Sequence, residues 1–256
     1  MQTWLLLRGL TRESRHWGDF LGQFQQALPD AQIMALDLPG NGHLNQQRSP
    51  LRIQDMVADC REQLVSRNIA PPYKILAMSM GAMVAVAWSD MYPREVTAQV
   101  LINTSMRPFS PFYHRLLPAN YALLLQLSLM GATPEAWERA VLRLTSNHTH
   151  DDVLPHWLAL RHENPVSRSN TVRQLIAAAR FQAPQAKPMV PTLLLASEQD
   201  HVVSVNCSKT LSRHWQCDLR VHSSAGHDLP LDDGPWVAAR VRVWLPKGFE
   251  NERGLQ

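Results

Sequence analysis

YKILAMSMGAMVAVAW, residues 73–88, is the stretch on which the fold turns. Its first six residues are an almost unbroken apolar run, the right length for a strand buried on both faces. From Met80 the pattern changes to small and apolar residues that suit a buried helix. Ser79 stands at the junction, with Gly81 two places on and Ala77 two places before. Small residues around a serine at a strand-to-helix junction suit the sharp, strained turn of a G-x-S-x-G elbow, here with alanine in the first glycine's place. The plainer alternative is a serine that caps a buried helix. A serine hydroxyl is a poor nucleophile unless a base takes its proton, so the choice falls to the rest of the chain.

Further apolar runs at 3–8, 31–37, 98–103, 191–197 and 217–222 read as strands. Helical patterns at 14–28, 51–68, 80–92, 204–214 and 235–245 separate them, the last opening on Asp233, Gly234 and Pro235. This βαβα order predicts a doubly wound α/β sheet, mostly parallel, of about six strands with helices on both faces. The alternation stops over 105–186, where four helical stretches (111–130, 134–146, 150–162, 167–182) follow one another without a strand. The expected organisation is a core of 1–104 and 187–248, an inserted helical cap at 105–186 and a flexible tail at 249–256.

A chain of 256 residues with 45% hydrophobic content suits one sizeable domain. The net charge of +3 comes without a lysine run or a basic-aromatic stripe, which argues against a nucleic-acid partner. Cys60, Cys207 and Cys217 form no close pair, as expected of a reducing compartment. No stretch approaches the roughly 18 apolar residues of a membrane span, and the start lacks a signal-peptide pattern. A cytoplasmic protein with no membrane partner is the expectation.

Of the eleven histidines, His227 in SSAGHDLPLDDGPW follows the last strand and precedes the last helix, at the same sheet edge as Ser79. It is the candidate base. Asp200, just past the strand at 191–197, is the candidate acid that orients the imidazole, ahead of Glu198 and Asp228. Each alone reads as a solvated loop residue. Together they support one another.

With these residues in view, the chain resembles the α/β-hydrolase family along nearly its whole length. The order Ser79, Asp200, His227 matches the family's nucleophile, acid and base. DLPGNGHL (37–44) is similar to the family's D-x-x-G-x-G loop, and AGHDLP (225–230) to its histidine loop. The resemblance implies an oxyanion hole formed by the N–H groups of Leu10 and Met80. Where many members end the first core strand in His-Gly, this chain has Arg8-Gly9. Arg8 is either a structural arginine bonded to nearby carbonyls or a contact for an anionic substrate or acyl-carrier group. Gly9 and Arg8 are therefore carried as substrate-binding candidates.

The family's leading β-hairpin is missing, which predicts a trimmed sheet with 31–37 at an open edge where a second copy could pair. The implied activity is that of a capped serine carboxylesterase, cleaving an ester or thioester through an acyl-enzyme without a cofactor. The same triad could serve a carbon–carbon lyase or synthase of the menaquinone-pathway type, or the fold could bind a small molecule without turnover. His148, His150 and Asp151 are spaced as metal ligands could be, but they read as a solvated helix junction. Over 105–190 nine basic residues face five acidic ones, a slight lean towards an anionic partner.

Overall fold

Alternate side chains of a strand point to opposite faces of its sheet, so a strand covered on both sides needs apolar residues throughout. The chain follows that rule in a computed structural model that describes residues 2–123, 133–148 and 152–245. In β1 (Gln2–Leu7), Leu5 and Leu7 enter one apolar core while Trp4 and Leu6 enter the other. β3 (Tyr73–Met78) divides Ile75 and Ala77 from Leu76 and Met78 in the same way. Each fully buried aliphatic side chain of this kind stabilises the fold by about 1.5–3 kcal/mol.

These strands join β2 (Ala31–Leu36), β4 (Val96–Ile102), β5 (Thr192–Ser197) and β6 (Asp218–His222) in a six-stranded sheet ordered β2-β1-β3-β4-β5-β6. All five pairings are parallel, and β2 lies at an edge as expected. One face is covered by α2 (Ile53–Ser66) and α3 (Met80–Met91), the other by α1 (Phe20–Ala27) and the final helix. The segment between β4 and β5 includes, among the described residues, the helices α4 (Phe112–Arg115), α5 (Pro134–Thr145), α6 (Val153–Glu163) and α7 (Arg168–Arg180). The chain then continues through α8 (Asn206–Trp215) and α9 (Leu229–Trp244).

The strand order fixes where a site can form. The connection from β1 leads outward to β2, whereas that from β3 leads the other way to β4. The two crossovers part above the C-terminal ends of β1 and β3 and leave a crevice there.

Several predicted helices are shorter or broken. The stretch expected as one helix over 14–28 is a 3-10 turn (Ser14–Trp17) followed by α1, because Gly18 takes φ 50° and interrupts the helical path. The helix expected over 111–130 begins as α4 and gives way at the extended Leu116 and Leu117 to a 3-10 turn led by Pro118. The rest of that stretch lies partly outside the described residues, as do His150, Asp151 and the tail at 249–256. α9 starts earlier than 235 with a short first turn, then breaks at Asp233 (φ −151°, ψ 71°). Asp233 Oδ1 accepts from the Trp236 N–H at 3.0 Å, so it caps the longer part of the helix. Among the described residues no helix is long and apolar enough to cross a membrane.

Candidate active site

Ser79 is the residue between β3 and α3, and its backbone sits at φ 55°, ψ −119°. That is costly for a side chain with a Cβ and persists only where the surroundings hold it. Its N–H donates to Ile102 O at 2.9 Å, fixing the turn to the end of β4. Its hydroxyl makes no cap bond to α3, so it is not spent on the helix it precedes. Gly81 explains the tightness: a methyl there would lie 2.6 Å from the carbonyl oxygens of Leu7 and Arg8. Only glycine lets α3 start that close to the end of β1.

Gly9 meets the same turn from the other side. A methyl on it would stand 3.1 Å from Ser79 Cβ and 3.5 Å from Ser79 Oγ. The loop after β1 is thereby brought against the serine, with Leu10 next in line. Neither the Leu10 nor the Met80 N–H donates to a backbone acceptor among the described residues.

His227 and Asp200 are buried and joined, Nδ1 to Oδ2, at 2.7 Å. The other carboxylate oxygen, Oδ1, accepts from the N–H groups of Val202 and Val203 at 2.7 and 2.9 Å, which locks the Asp200 side chain in place. The histidine loop is held by Asn103, whose Nδ2 donates to His227 O at 2.7 Å and Gly226 O at 3.3 Å. Asn103 Oδ1 in turn accepts from the Ser197 N–H at 2.8 Å. This asparagine ends β4 at φ 44°, a conformation asparagine tolerates better than most residues.

Arg8 points to a partner that the sequence did not suggest. Its terminal nitrogens both donate to Asp228, Nη1 to Oδ1 at 3.1 Å and Nη2 to Oδ2. Its guanidinium also lies 4.8 Å from the Trp17 ring centre. Asp228, the residue beside His227, is therefore occupied by Arg8, while Asp200 holds the histidine. Glu198 is turned to Lys209 at 3.2 Å.

Ser79, His227, Asp228, Met80 and the Arg8–Arg12 loop line one cavity of about 400 Å³. Its remaining walls come largely from the segment between β4 and β5, joined by Val202 and Val203 after β5, and are mostly apolar: Leu116, Trp137, Val141, Leu144, Leu175 and Ala178 among them. These helices are pinned to the sheet edge. Glu138 of α5 accepts from Arg12 at 2.6 Å and from Arg161 at 3.0 Å, all but out of water. Gln174 of α7 accepts from the Thr11 N–H at 2.9 Å and donates to Asn41 Oδ1 at 2.8 Å. Asp232 receives Asn147 N–H at 3.0 Å and Gly226 N–H at 2.7 Å, tying the end of α5 to the histidine loop. Burial pushes the thiols of Cys60, Cys207 and Cys217 up, that of Cys217 to about 11, which leaves them poor rivals to a serine.

The sequence profile of the serine aminopeptidase S33 hydrolases matches residues 2–233. The chain belongs to that family, within the α/β-hydrolase superfamily. No curated protein sequence matches this α/β-hydrolase. Solved structures agree on its fold. A Mycobacterium tuberculosis H37Rv protein provisionally named a non-heme bromoperoxidase is 22% identical, with 94% of this chain and 90% of that one covered at a TM-score of 0.74. A protein of Acinetobacter baumannii AYE provisionally named a lipase is 21% identical, with 98% and 85% covered and a TM-score of 0.77. A thermophilic esterase from Thermogutta terrifontis is 18% identical, with 96% and 89% covered and a TM-score of 0.74.

Of Asn103, Glu138, Gln174 and Asp232, the last three carry no sequence signal of their place in this hydrolase. Their roles depend on partners on other elements far away in the chain. Asn103 alone leaves a faint trace, an asparagine just after an apolar strand where a left-handed residue can end it.

Proposed function

We propose that the chain is a serine hydrolase of carboxylic esters or thioesters, working through an acyl-enzyme. The observation that carries this reading is the buried 2.7 Å pair of His227 and Asp200, whose imidazole lines the same cavity as Ser79. With Nδ1 held by Asp200, the imidazole keeps Nε2 free to take a proton. Ser79 Oγ attacks the carbonyl carbon as His227 takes its proton. The oxyanion is received by the Leu10 and Met80 N–H groups, each worth on the order of 3 kcal/mol to the transition state. Collapse breaks the ester bond, and His227 protonates the departing alcohol or thiol. Water then gives His227 a proton and attacks the acyl carbon, releasing the acid and restoring Ser79.

The apolar walls favour an acyl chain, and the helices between β4 and β5 serve as the cap that encloses it. Arg8, its two terminal nitrogens paired with Asp228, acts through the fold of the loop it begins and not through the substrate. Fluorophosphonate labelling tests the reading. Wild type takes up the probe and hydrolyses p-nitrophenyl esters, while Ser79→Ala, with unchanged circular dichroism, does neither. A folded wild type that remains unlabelled would dispose of the proposal.

A further inference from the structure

The charges in the cavity wall are few, and all but one are matched. Arg8 is offset by Asp228. Arg12 is offset by Glu138 just behind the wall. Arg115, at the end of α4, faces no carboxylate within ion-pair distance among the described residues. Its Nη2 donates to Ala178 O at 2.8 Å, and its Nε is buried with no hydrogen-bond partner among the described residues. Around it the lining is apolar, with Phe112, Leu116 and Ala178 as neighbours. Burial and the like charge of Arg107 both lower its proton affinity, the sign of a cation left short of compensation. Arg115 as a whole is half-buried; a partly desolvated charge without a counter-charge carries a cost, and a guanidinium edge fits a carboxylate through two parallel N–H bonds.

We propose that Arg115 is a specificity-determining residue that seats a carboxylate on the substrate, so that the preferred substrates are half-esters of dicarboxylic acids. This rests on the ester-hydrolase reading above. The scissile ester lies at Ser79 on the sheet edge, and the acid group lies against Arg115 on the inserted helices. The apolar wall between them takes the methylene chain. A carboxylate supplies the counter-charge that the cavity wall itself does not give Arg115.

Matched substrates test the proposal: mono-p-nitrophenyl adipate against p-nitrophenyl hexanoate, with the succinate and suberate half-esters bracketing chain length. Wild type is expected to prefer a half-ester in kcat/KM, and Arg115→Gln to lose that preference by about 10- to 100-fold while keeping its rate on the hexanoate. Arg115→Lys, which keeps the charge but not the fork, should fall between. If Arg115→Gln does not fold, monomethyl adipate should still protect wild-type Ser79 from the fluorophosphonate better than methyl hexanoate. A wild type that prefers the neutral ester at every length, or an Arg115→Gln that slows both substrates equally, overturns this inference and leaves the hydrolase reading standing. Absence of both labelling and turnover removes the hydrolase reading, and this inference with it.

Discussion

Ser79 shows how much a single residue's backbone can say. At φ 55° it is bent into a turn that its own side chain does not stabilise, and Gly9, Gly81 and Ile102 O surround it closely enough to keep it there. The neighbouring Asp200–His227 pair is equally constrained, because Asp200 has one oxygen for the imidazole and one for two backbone N–H groups. Replacing Asp200 by Asn should leave this geometry in place and present an N–H or a misdirected oxygen to Nδ1, favouring the wrong tautomer. The expected loss in kcat is about 10⁴-fold with little change in melting temperature, read by ester kinetics and calorimetry side by side. The three residues were legible in the sequence because each follows a strand at the same edge, in a fixed order. Asp228 was legible only as a competitor for Asp200's role. Its service to Arg8 depends on the path of a loop that apolar patterning does not describe.

The elements differ in the same respect. Strands covered on both faces announce themselves as apolar runs, and every predicted strand is present to within about two residues at either end. The helices between β4 and β5 were foreseen as a group, but their docking was not, since it rests on buried polar contacts. Arg12 lies 4.3 Å from the Trp157 ring centre and shares Glu138 with Arg161, joining the loop after β1 to α5 and α6. His16 is packed into this junction, its Nδ1 accepting from the Glu13 N–H at 3.1 Å and its Nε2 3.0 Å from Arg12 Nη1. Burial, with the positive charges of Arg12 and Arg8, holds its pKa well below 6.5. The folded chain therefore keeps His16 neutral where the unfolded chain takes up a proton. Stability is unaffected above the ordinary histidine range and falls as the pH drops below about 6.5, by at most about 1.4 kcal/mol per pH unit from this residue. Urea unfolding between pH 7 and pH 5 should show the decline in wild type and a shallower one in His16→Phe. Equal slopes would rule His16 out as its source.

Across the whole molecule, the sheet sets a gradient of protection. β3 and β5 are buried along their full length and β4 over all but one position, whereas β2 is half-exposed and β6 more so. Amide hydrogen exchange should be slowest in β3, β4 and β5 and clearly faster in β2 and β6, a ranking that exchange measured by mass spectrometry can verify or reject. The overall fold was readable because it follows from alternation and order. The cavity's shape was not, because it is cut by helices whose packing no periodicity encodes. The Arg8–Asp228 pair spans 220 residues of sequence, and it carries a historical consequence. Changing Arg8 alone to a neutral residue would strand a carboxylate next to His227, and changing Asp228 alone would strand a guanidinium under the same loop. Either step alone passes through a damaged intermediate, so the two positions are bound to vary together. Lineages that carry arginine at position 8 should be recognisable by the acid they keep at 228.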